Sequence, residues 1–274
     1  MAFQTIITPE QLLSERDPDW VVIDCRFSLN DPDAGQREYA EAHIPGAFYA
    51  HLNRDLSGRI VPGSTGRHPI PEAADFRALM GSWGARPGVQ VVVYDHGPGA
   101  IAARLWWLFR HHGHASVAVL EGGYQAWIGA ELPLSADAPA VHEGTYPERA
   151  PIARAATPAE FGGARLVDAR SSERYRGDHE PIDSRAGHIP GAASRPFGDN
   201  LDDDWHFLPP DQLRERFEGL GPAADQIHYC GSGVTAAHNL LALEIAGLYG
   251  ARLYVGSWSD WITDPEHPVA TGDE

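Results

Sequence analysis

The amino-acid sequence predicts an α/β protein with two similar domains in tandem, each a mostly parallel β-sheet flanked by helices. Two observations lead to this prediction: short β-branched runs alternate with helical stretches, and four sequence blocks occur twice in the same order. The length of 274 residues is enough for two such domains.

Apolar runs alternate with helical patterns along the first half of the chain. Strands are predicted at residues 21–23, 89–93 and 117–120, and helices at residues 71–83 and 100–112. Because the strand runs are apolar throughout, both faces of the sheet should be covered. We therefore expect a parallel sheet with right-handed helical crossovers.

Four blocks of the first half recur in the second half at offsets of 144, 145, 135 and 134 residues. Matching positions in these blocks are Asp24 and Asp168, His43 and His188, Asp95 and Cys230, and Gly122 and Gly256. We interpret the blocks as two homologous domains at residues 1–137 and 157–274. Residues 138–156, rich in Pro and Ala and without apolar periodicity, form the expected linker.

The composition argues against several classes of partner. The formal net charge is −17, which would repel nucleic acid and anionic membranes. The two cysteines are too few for a disulfide framework, and the 14 histidines lack metal-binding spacing, so no metal site is expected. No apolar run reaches the ~20 residues that cross a bilayer, and the N-terminus lacks signal-peptide features. A cytoplasmic location is expected.

Cys230 lies in the loop Cys230-Gly-Ser-Gly-Val-Thr235, between a predicted strand at Gln226–Tyr229 and a predicted helix at residues 236–246. Ligands of open α/β sheets bind beyond the carboxyl ends of the strands. Two glycines let backbone N–H groups turn toward the sulfur, and the helix N-terminus adds partial positive charge. Both effects favour the nucleophilic thiolate. The alternative is a small buried cysteine that only packs at a strand end.

The other cysteine and the other copy of the loop lack this chemistry. Cys25 has no glycine-rich loop after it, and a structural role is expected for it. Asp95 occupies the position of Cys230 in the first repeat, and a carboxylate cannot take the place of a nucleophilic thiolate. The first domain should therefore be catalytically inactive and serve to shape the site of the second.

Taken together, the repeated His-Ile-Pro-Gly-Ala boxes, Arg104-Leu-Trp-Trp, the Cys230 loop and Gly256-Ser-Trp-Ser-Asp-Trp resemble the tandem-domain rhodanese family over residues 24–261. The resemblance implies two rhodanese-like domains, of which the second transfers sulfane sulfur through a persulfide on Cys230 without a cofactor. The implied partners are a small sulfur donor and a thiophilic acceptor, namely cyanide, a small thiol or a thioredoxin-like dithiol.

Within this family the loop distinguishes two donors. Thiosulfate-preferring members carry Cys-Arg-Lys-Gly-Val-Thr, whereas this chain has the neutral Gly231 and Ser232, as mercaptopyruvate-preferring members do. Losing two cations weakens attraction for a dianion. The resemblance thus predicts 3-mercaptopyruvate as the donor, with thiosulfate:cyanide sulfur transfer as the alternative.

Family positions also suggest further site residues. A Ser-His-Asp relay would use Ser232 and His68, while its Asp position aligns with Asn53 and has Asp55 two residues away. The alternative for His68 is an ordinary loop histidine. The remaining residues of the Cys230 loop are expected to bind the substrate: Gly231, Gly233, Val234 and Thr235.

The family's substrate-binding arginines are only partly present. Arg174 matches the arginine expected to bind the donor carboxylate, and its alternative is a solvated helix residue. The second arginine should follow a Glu-Pro pair, but Ile182 stands there and Arg185 is the available substitute.

Two other functions have sequence requirements that overlap with this pattern. A Cys-loop phosphatase needs an arginine six residues after the cysteine, where this chain has Ala236, so this function is rejected. A non-catalytic sulfur carrier would have the same loop and stays open. The repeated His43 and His188 are expected to brace turns.

Overall fold

The computed structural model describes residues 2–273, which divide into two compact units that exchange short segments. The first unit comprises the chain up to Gly58 together with Pro71–Ile152 and Asp203–His206. The second comprises Arg59–Ile70, Ala153–Asp202 and the chain from Phe207 onward. The domain bounds inferred from the repeat stay a prediction, since these units are discontinuous in sequence.

Among the described residues the first unit has a five-stranded sheet, all of whose pairs are parallel, in the order β1-β5-β4-β2-β3. Its strands are β1 (Ile6–Ile7), β2 (Val21–Asp24), β3 (Ala47–Tyr49), β4 (Val91–Tyr94) and β5 (Val117–Leu120). Its helices are α1 (Pro9–Glu15), α2 (Ala34–Glu41), α3 (Ala73–Ser82), α4 (Ala100–His111) and α5 (Gly123–Gly129). The predicted strands and helices of this half are confirmed.

The second unit has a four-stranded parallel sheet in the order β7-β6-β8-β9 within the described part of the chain. Its strands are β6 (Arg165–Asp168), β7 (Ala193–Ser194), β8 (Gln226–Tyr229) and β9 (Arg252–Leu253). Its α-helices are α6 (Ser172–Arg176), α7 (Pro210–Arg216), α8 (Thr235–Ile245) and α9 (Ser257–Trp261), with 3-10 turns at Pro158–Glu160, Phe197–Asn200 and Ala223–Asp225. The two sheets confirm the predicted α/β class.

The inner strands β2, β4 and β8 are buried along their whole length, which explains their lack of alternation. All four residues of β2, β4 and β8 are buried. Strands covered on both faces can be apolar at every position. Within residues 2–273, no helix is both long and apolar enough to cross a bilayer.

The repeated Asp-x-Arg block is a buried ion pair at the end of an inner strand. Asp24 and Arg26 are 2.7 Å apart, and Asp168 and Arg170 are 2.6 Å apart. Each guanidinium also donates to a backbone carbonyl, on Ala42 or Gly187. A buried charge is tolerated when it is paired and hydrogen-bonded, so the block recurs for a structural reason.

The repeated histidines also have structural partners. His43 and His188 stack on Tyr39 and Tyr175 at ring-centroid distances of 4.0 and 3.8 Å. Nδ1 of each donates to the backbone carbonyl of the same tyrosine. These contacts agree with the expected bracing role.

Three buried histidines predict acid sensitivity. Burial lowers the pKa of His112 and His114 to about 4 and that of His228 to about 3. Because these values lie below the ordinary value of about 6.5, the unfolded chain binds protons that the folded chain does not. The free energy of unfolding should fall as pH decreases from 6.5 toward 4, by about 1.4 kcal/mol per pH unit for each histidine.

Urea unfolding between pH 7.5 and 5 measures this dependence. His228→Leu should reduce its slope by about one proton. The exposed His179→Leu is the matched control. Equal slopes for the wild type and His228→Leu would contradict the prediction.

Candidate active site

Cys230 directly follows β8 and lies before α8, which begins at Thr235. The loop is almost fully enclosed, with Cys230 2% exposed and Val234 6% exposed. The sulfur therefore lies beyond the carboxyl end of an inner parallel strand, at the N-terminus of a helix of 11 residues. Ligands of such sheets bind at the carboxyl ends of the strands, and the helix N-terminus favours an anion there.

Backbone hydrogen bonds tie the loop to the start of α9. The amides of Trp258 and Ser259 donate to the carbonyls of Cys230 and Gly231, each at 2.9 Å. The Cys230 amide donates to Ser257 Oγ at 3.0 Å, and Ser257 has a left-handed φ of 56°. A left-handed serine persists only where its surroundings hold it. The Gly256-Ser-Trp-Ser-Asp-Trp261 block, the counterpart of the block that begins at Gly122, thus fixes the cysteine loop.

A backbone amide faces the sulfur. The Gly233 N–H donates to Cys230 Sγ at 3.2 Å. Gly233 has a φ of 74°, and a Cβ there would lie 2.4 Å from the Val255 carbonyl oxygen. Only glycine fits this turn without displacing backbone, so Gly233 is required for the N–H to reach the sulfur.

The equivalent loop in the first unit encloses the side chain of Asp95. One oxygen of Asp95 accepts from the amides of Gly97 and Gly99 at 3.0 and 2.9 Å. The other accepts from Ile101 and Ala102 at 2.9 and 3.2 Å. The first-unit loop is therefore an anion-binding loop that its own carboxylate fills.

The repeat allows the amides of the two loops to be matched. With the offset of 135 residues, the counterparts of the amides at Gly97, Gly99 and Ile101 are those of Ser232, Val234 and Ala236. A persulfide on Cys230 would place its outer sulfur among amides of this kind.

Ser232 and His68 meet beside the loop. Ser232 Oγ and His68 Nδ1 share a hydrogen bond of 2.8 Å, and both residues are buried. His68 belongs to Arg59–Ile70, a segment of the first half of the sequence that packs into the second unit. Ser232 and His68 are two of the four predicted catalytic residues. They therefore form a hydrogen-bonded pair at the Cys230 loop.

Asp55 and Asn53 lie in the first unit, around His51. Asp55 accepts from the His51 amide at 2.7 Å, and the Asn53 amide donates to His51 Nδ1 at 3.1 Å. The acidic member of the suggested relay stays a prediction.

Two guanidinium groups lie over Gly231. A Cβ on Gly231 would be 2.9 Å from Arg67 Nη2 and 3.4 Å from Arg174 Nη2. Glycine at this position leaves room for both side chains. The neutral loop is therefore accompanied by positive charge that comes from elsewhere in the same unit.

Both arginines are held by buried carboxylates. Asp183 pairs with Arg67 Nη1 and, at 3.0 Å, with Arg174 Nη2. Glu180 accepts from Arg174 Nε at 3.0 Å and pairs with Arg170 at 3.3 Å. The side chain of Arg174 is 16% exposed, so it is not a freely solvated helix arginine.

The two carboxyl groups respond differently to these surroundings. Burial raises the pKa of Asp183 against the opposing charges of Arg67 and Arg174, and the charge of Glu180 raises it further. For Glu180 burial acts in the same direction, but hydrogen bonds from Arg174 and two backbone amides outweigh it and lower the pKa. Glu180 is thus the more firmly ionised partner.

Arg185 and Ile182 are placed differently from these arginines. Both terminal nitrogens of Arg185 lie 3.4 Å from the His267 carbonyl oxygen, and Ile182 is 45% exposed. Arg67 is not among the predicted site residues, because it lies outside the repeated blocks of the sequence. Its place directly before His68 was the available signal.

Cys25 provides a contrast to Cys230. It is fully buried, and burial together with the nearby charges of Asp24 and Asp95 raises the pKa of its thiol well above the ordinary value. A thiol with a raised pKa is a poor nucleophile. The structural role expected for Cys25 agrees with these surroundings.

Comparison with known proteins adds relatives of full length. The chain is 49% identical to a protein named probable 3-mercaptopyruvate sulfurtransferase from Pseudomonas aeruginosa, over 100% of both chains. It is 32% identical to the thiosulfate sulfurtransferase of Cricetulus griseus, over 93% of this chain and 90% of that protein.

Solved structures show the same similarity. The 3-mercaptopyruvate sulfurtransferase from Leishmania major superimposes with a TM-score of 0.83 at 29% identity, over 93% of this chain and 73% of that chain. SseA from Escherichia coli, described as a 3-mercaptopyruvate sulfotransferase, gives 0.80 at 30% identity, over 94% and 100%. A family profile described as Rhodanese-like domain matches residues 8–130 and 153–264. The chain belongs to the family of proteins with tandem rhodanese-like domains.

Proposed function

We propose that this chain is a sulfurtransferase that moves sulfane sulfur from 3-mercaptopyruvate to a thiophilic acceptor through a persulfide on Cys230. The observation that carries the proposal is the placing of one thiol in an amide-lined loop with two guanidinium groups over its next residue. The loop suits a sulfur anion, and the guanidinium groups suit the carboxylate of a ketoacid. The similarity to the Pseudomonas protein supports the same donor.

Donor binding begins with the carboxylate of 3-mercaptopyruvate on Arg67 and Arg174. Guanidinium groups bind carboxylates through paired N–H donors, which orient the donor as well as hold it. Ser232 Oγ, hydrogen-bonded to His68, donates to the carbonyl oxygen of the donor. The donor sulfur then faces Cys230.

The Cys230 thiolate attacks the sulfur of the donor. An S–S bond forms and the C–S bond breaks, and its electron pair passes to carbon to give the enolate of pyruvate. The proton that was on the donor sulfur neutralises the enolate by way of the solvent or the Ser232–His68 pair. The hydrogen bond from Ser232 stabilises the enolate oxygen while its charge develops.

The outer sulfur leaves in a second displacement. A thiolate or cyanide attacks it, the S–S bond breaks, and Cys230 regains its thiolate. Within the proposal the acceptor is a small thiol, cyanide or a thioredoxin-like dithiol. A cytoplasmic location is also part of it, since both cysteines are free thiols and a reducing compartment preserves them.

Thiosulfate is the second candidate donor, with cyanide as acceptor. The two guanidinium groups over Gly231 are the observation that favours it, because their N–H donors can also bind the oxygens of thiosulfate. The ratio of kcat/KM for 3-mercaptopyruvate and thiosulfate separates the candidates. A higher value for thiosulfate would replace the proposed donor.

Replacing the nucleophile tests the reaction itself. Cys230→Ser should lower turnover at least about 10³-fold with every donor, because serine cannot form a persulfide. Cys25→Ser is the matched control and should keep activity. Pyruvate release measures turnover, and mass spectrometry after donor treatment should show one added sulfur in the wild type and in Cys25→Ser. Substantial turnover by Cys230→Ser would refute the proposal, as would failure of the wild type to gain sulfur.

Replacing the arginines tests which of them bind the donor. Arg67→Met should raise KM for 3-mercaptopyruvate by about tenfold to a hundredfold, because a charge-assisted pair to the carboxylate is lost. Arg185→Met removes the same charge from the side chain that faces the His267 carbonyl and should change KM little. Initial rates across donor concentrations give both constants. The opposite ranking of the two variants would return the role to Arg185.

A further inference from the structure

The ion pairs around Gly231 form one cluster whose charges cancel. Its cations and carboxylates are all in the second unit: Arg67, Arg170, Arg174, Asp168, Glu180 and Asp183. Three positive and three negative groups leave no net charge. The cations over Gly231 are therefore already balanced before any donor arrives.

The carboxylates bind only one side of the two arginines that lie over Gly231. Arg67 uses Nη1 toward Asp183, and Arg174 uses Nε and Nη2 toward Glu180 and Asp183. Arg67 Nη2 and Arg174 Nη1 remain at Gly231, 2.9 and 3.5 Å from the position of a Cβ there. Each guanidinium thus keeps N–H groups that can bind the donor.

The position of Asp183 is itself fixed. Its side chain is 4% exposed, and its amide donates to Glu180 Oε1 at 3.0 Å. The Ile182 amide donates to the same oxygen at 3.0 Å. Glu180 therefore fixes the turn that presents Asp183 to Arg67 and Arg174.

We propose that Asp183 is a positioning residue that also determines donor specificity, holding Arg67 and Arg174 over Gly231 while its charge disfavours a dianionic donor. The proposal rests on the proposed function. A donor with one negative charge, such as 3-mercaptopyruvate, needs the oriented N–H groups more than net positive charge. Thiosulfate has two negative charges, so it is repelled more strongly by Asp183. The absence of cations from the loop and the presence of Asp183 thus both disfavour thiosulfate relative to 3-mercaptopyruvate.

Two substitutions of Asp183 separate its charge from its hydrogen bonds. Asp183→Asn keeps an acceptor oxygen and removes the charge, and the ratio of kcat/KM for thiosulfate to that for 3-mercaptopyruvate should rise about tenfold. The change should be in KM rather than kcat, since Asp183 does not touch the reacting atoms. Asp183→Glu keeps the charge and should restore a ratio close to that of the wild type. Asp178→Asn removes the same charge at an exposed position and is the matched control.

An unchanged ratio in a folded Asp183→Asn protein would overturn the inference, as would equal losses with both donors. Asp183→Ser repeats the loss of charge if the Asn variant does not fold, and failure of both to fold would show a purely structural residue and also overturn it. Failure of the proposed function is distinguishable, because the wild type and Asp178→Asn would then turn over neither donor or would already prefer thiosulfate.

Discussion

A six-residue loop at the end of an inner strand turns backbone N–H groups toward a single enclosed side chain, and most of the site follows from this constraint. In the first unit this side chain is the Asp95 carboxylate, with four amides around it. In the second unit Cys230 takes the same position, with the Gly233 amide at its sulfur. The loops differ in the side chain they enclose, which decides whether chemistry is possible.

The helix after the last strand of each sheet also holds the loop in place. This helix is α5, after β5, in the first unit and α9, after β9, in the second. The amides of Tyr124 and Gln125 donate to the carbonyls of Asp95 and His96, as those of Trp258 and Ser259 do to Cys230 and Gly231. These bonds tie each loop to a second helix, α5 or α9, besides the helix that follows the loop. A motif far away in sequence is therefore part of the same local structure.

Buried charge is the second determinant of the site. An arginine that is removed from water needs a carboxylate close by, and the pairs run from Asp168 at the end of β6 to Arg67. This chain of pairs links the end of β6 to the two guanidinium groups over Gly231, where we propose that the donor binds. In the proposed donor site, the carboxylates that hold the arginines would also set how much net charge a donor meets.

The sequence by itself determined the α/β class and the internal repeat, and it predicted a reactive loop at Cys230 with an inactive counterpart at Asp95. These features depend on local periodicity, glycine positions and side-chain type, which are visible along the chain. It also identified Arg174 and His68, but only by family position. Ser232 was predicted as the partner of His68, whereas the hydrogen bond between the two side chains is visible only in the structure.

Only the tertiary structure decided which cations accompany Cys230. Arg67 and Asp183 are separated by 116 residues and meet because Arg59–Ile70 packs into the second unit. Arg185, the nearer candidate in sequence, faces the His267 carbonyl instead. Side chains that meet through a segment exchanged between units leave no periodic signal, because their pairing depends on the path of the whole chain and on where each buried charge finds its partner.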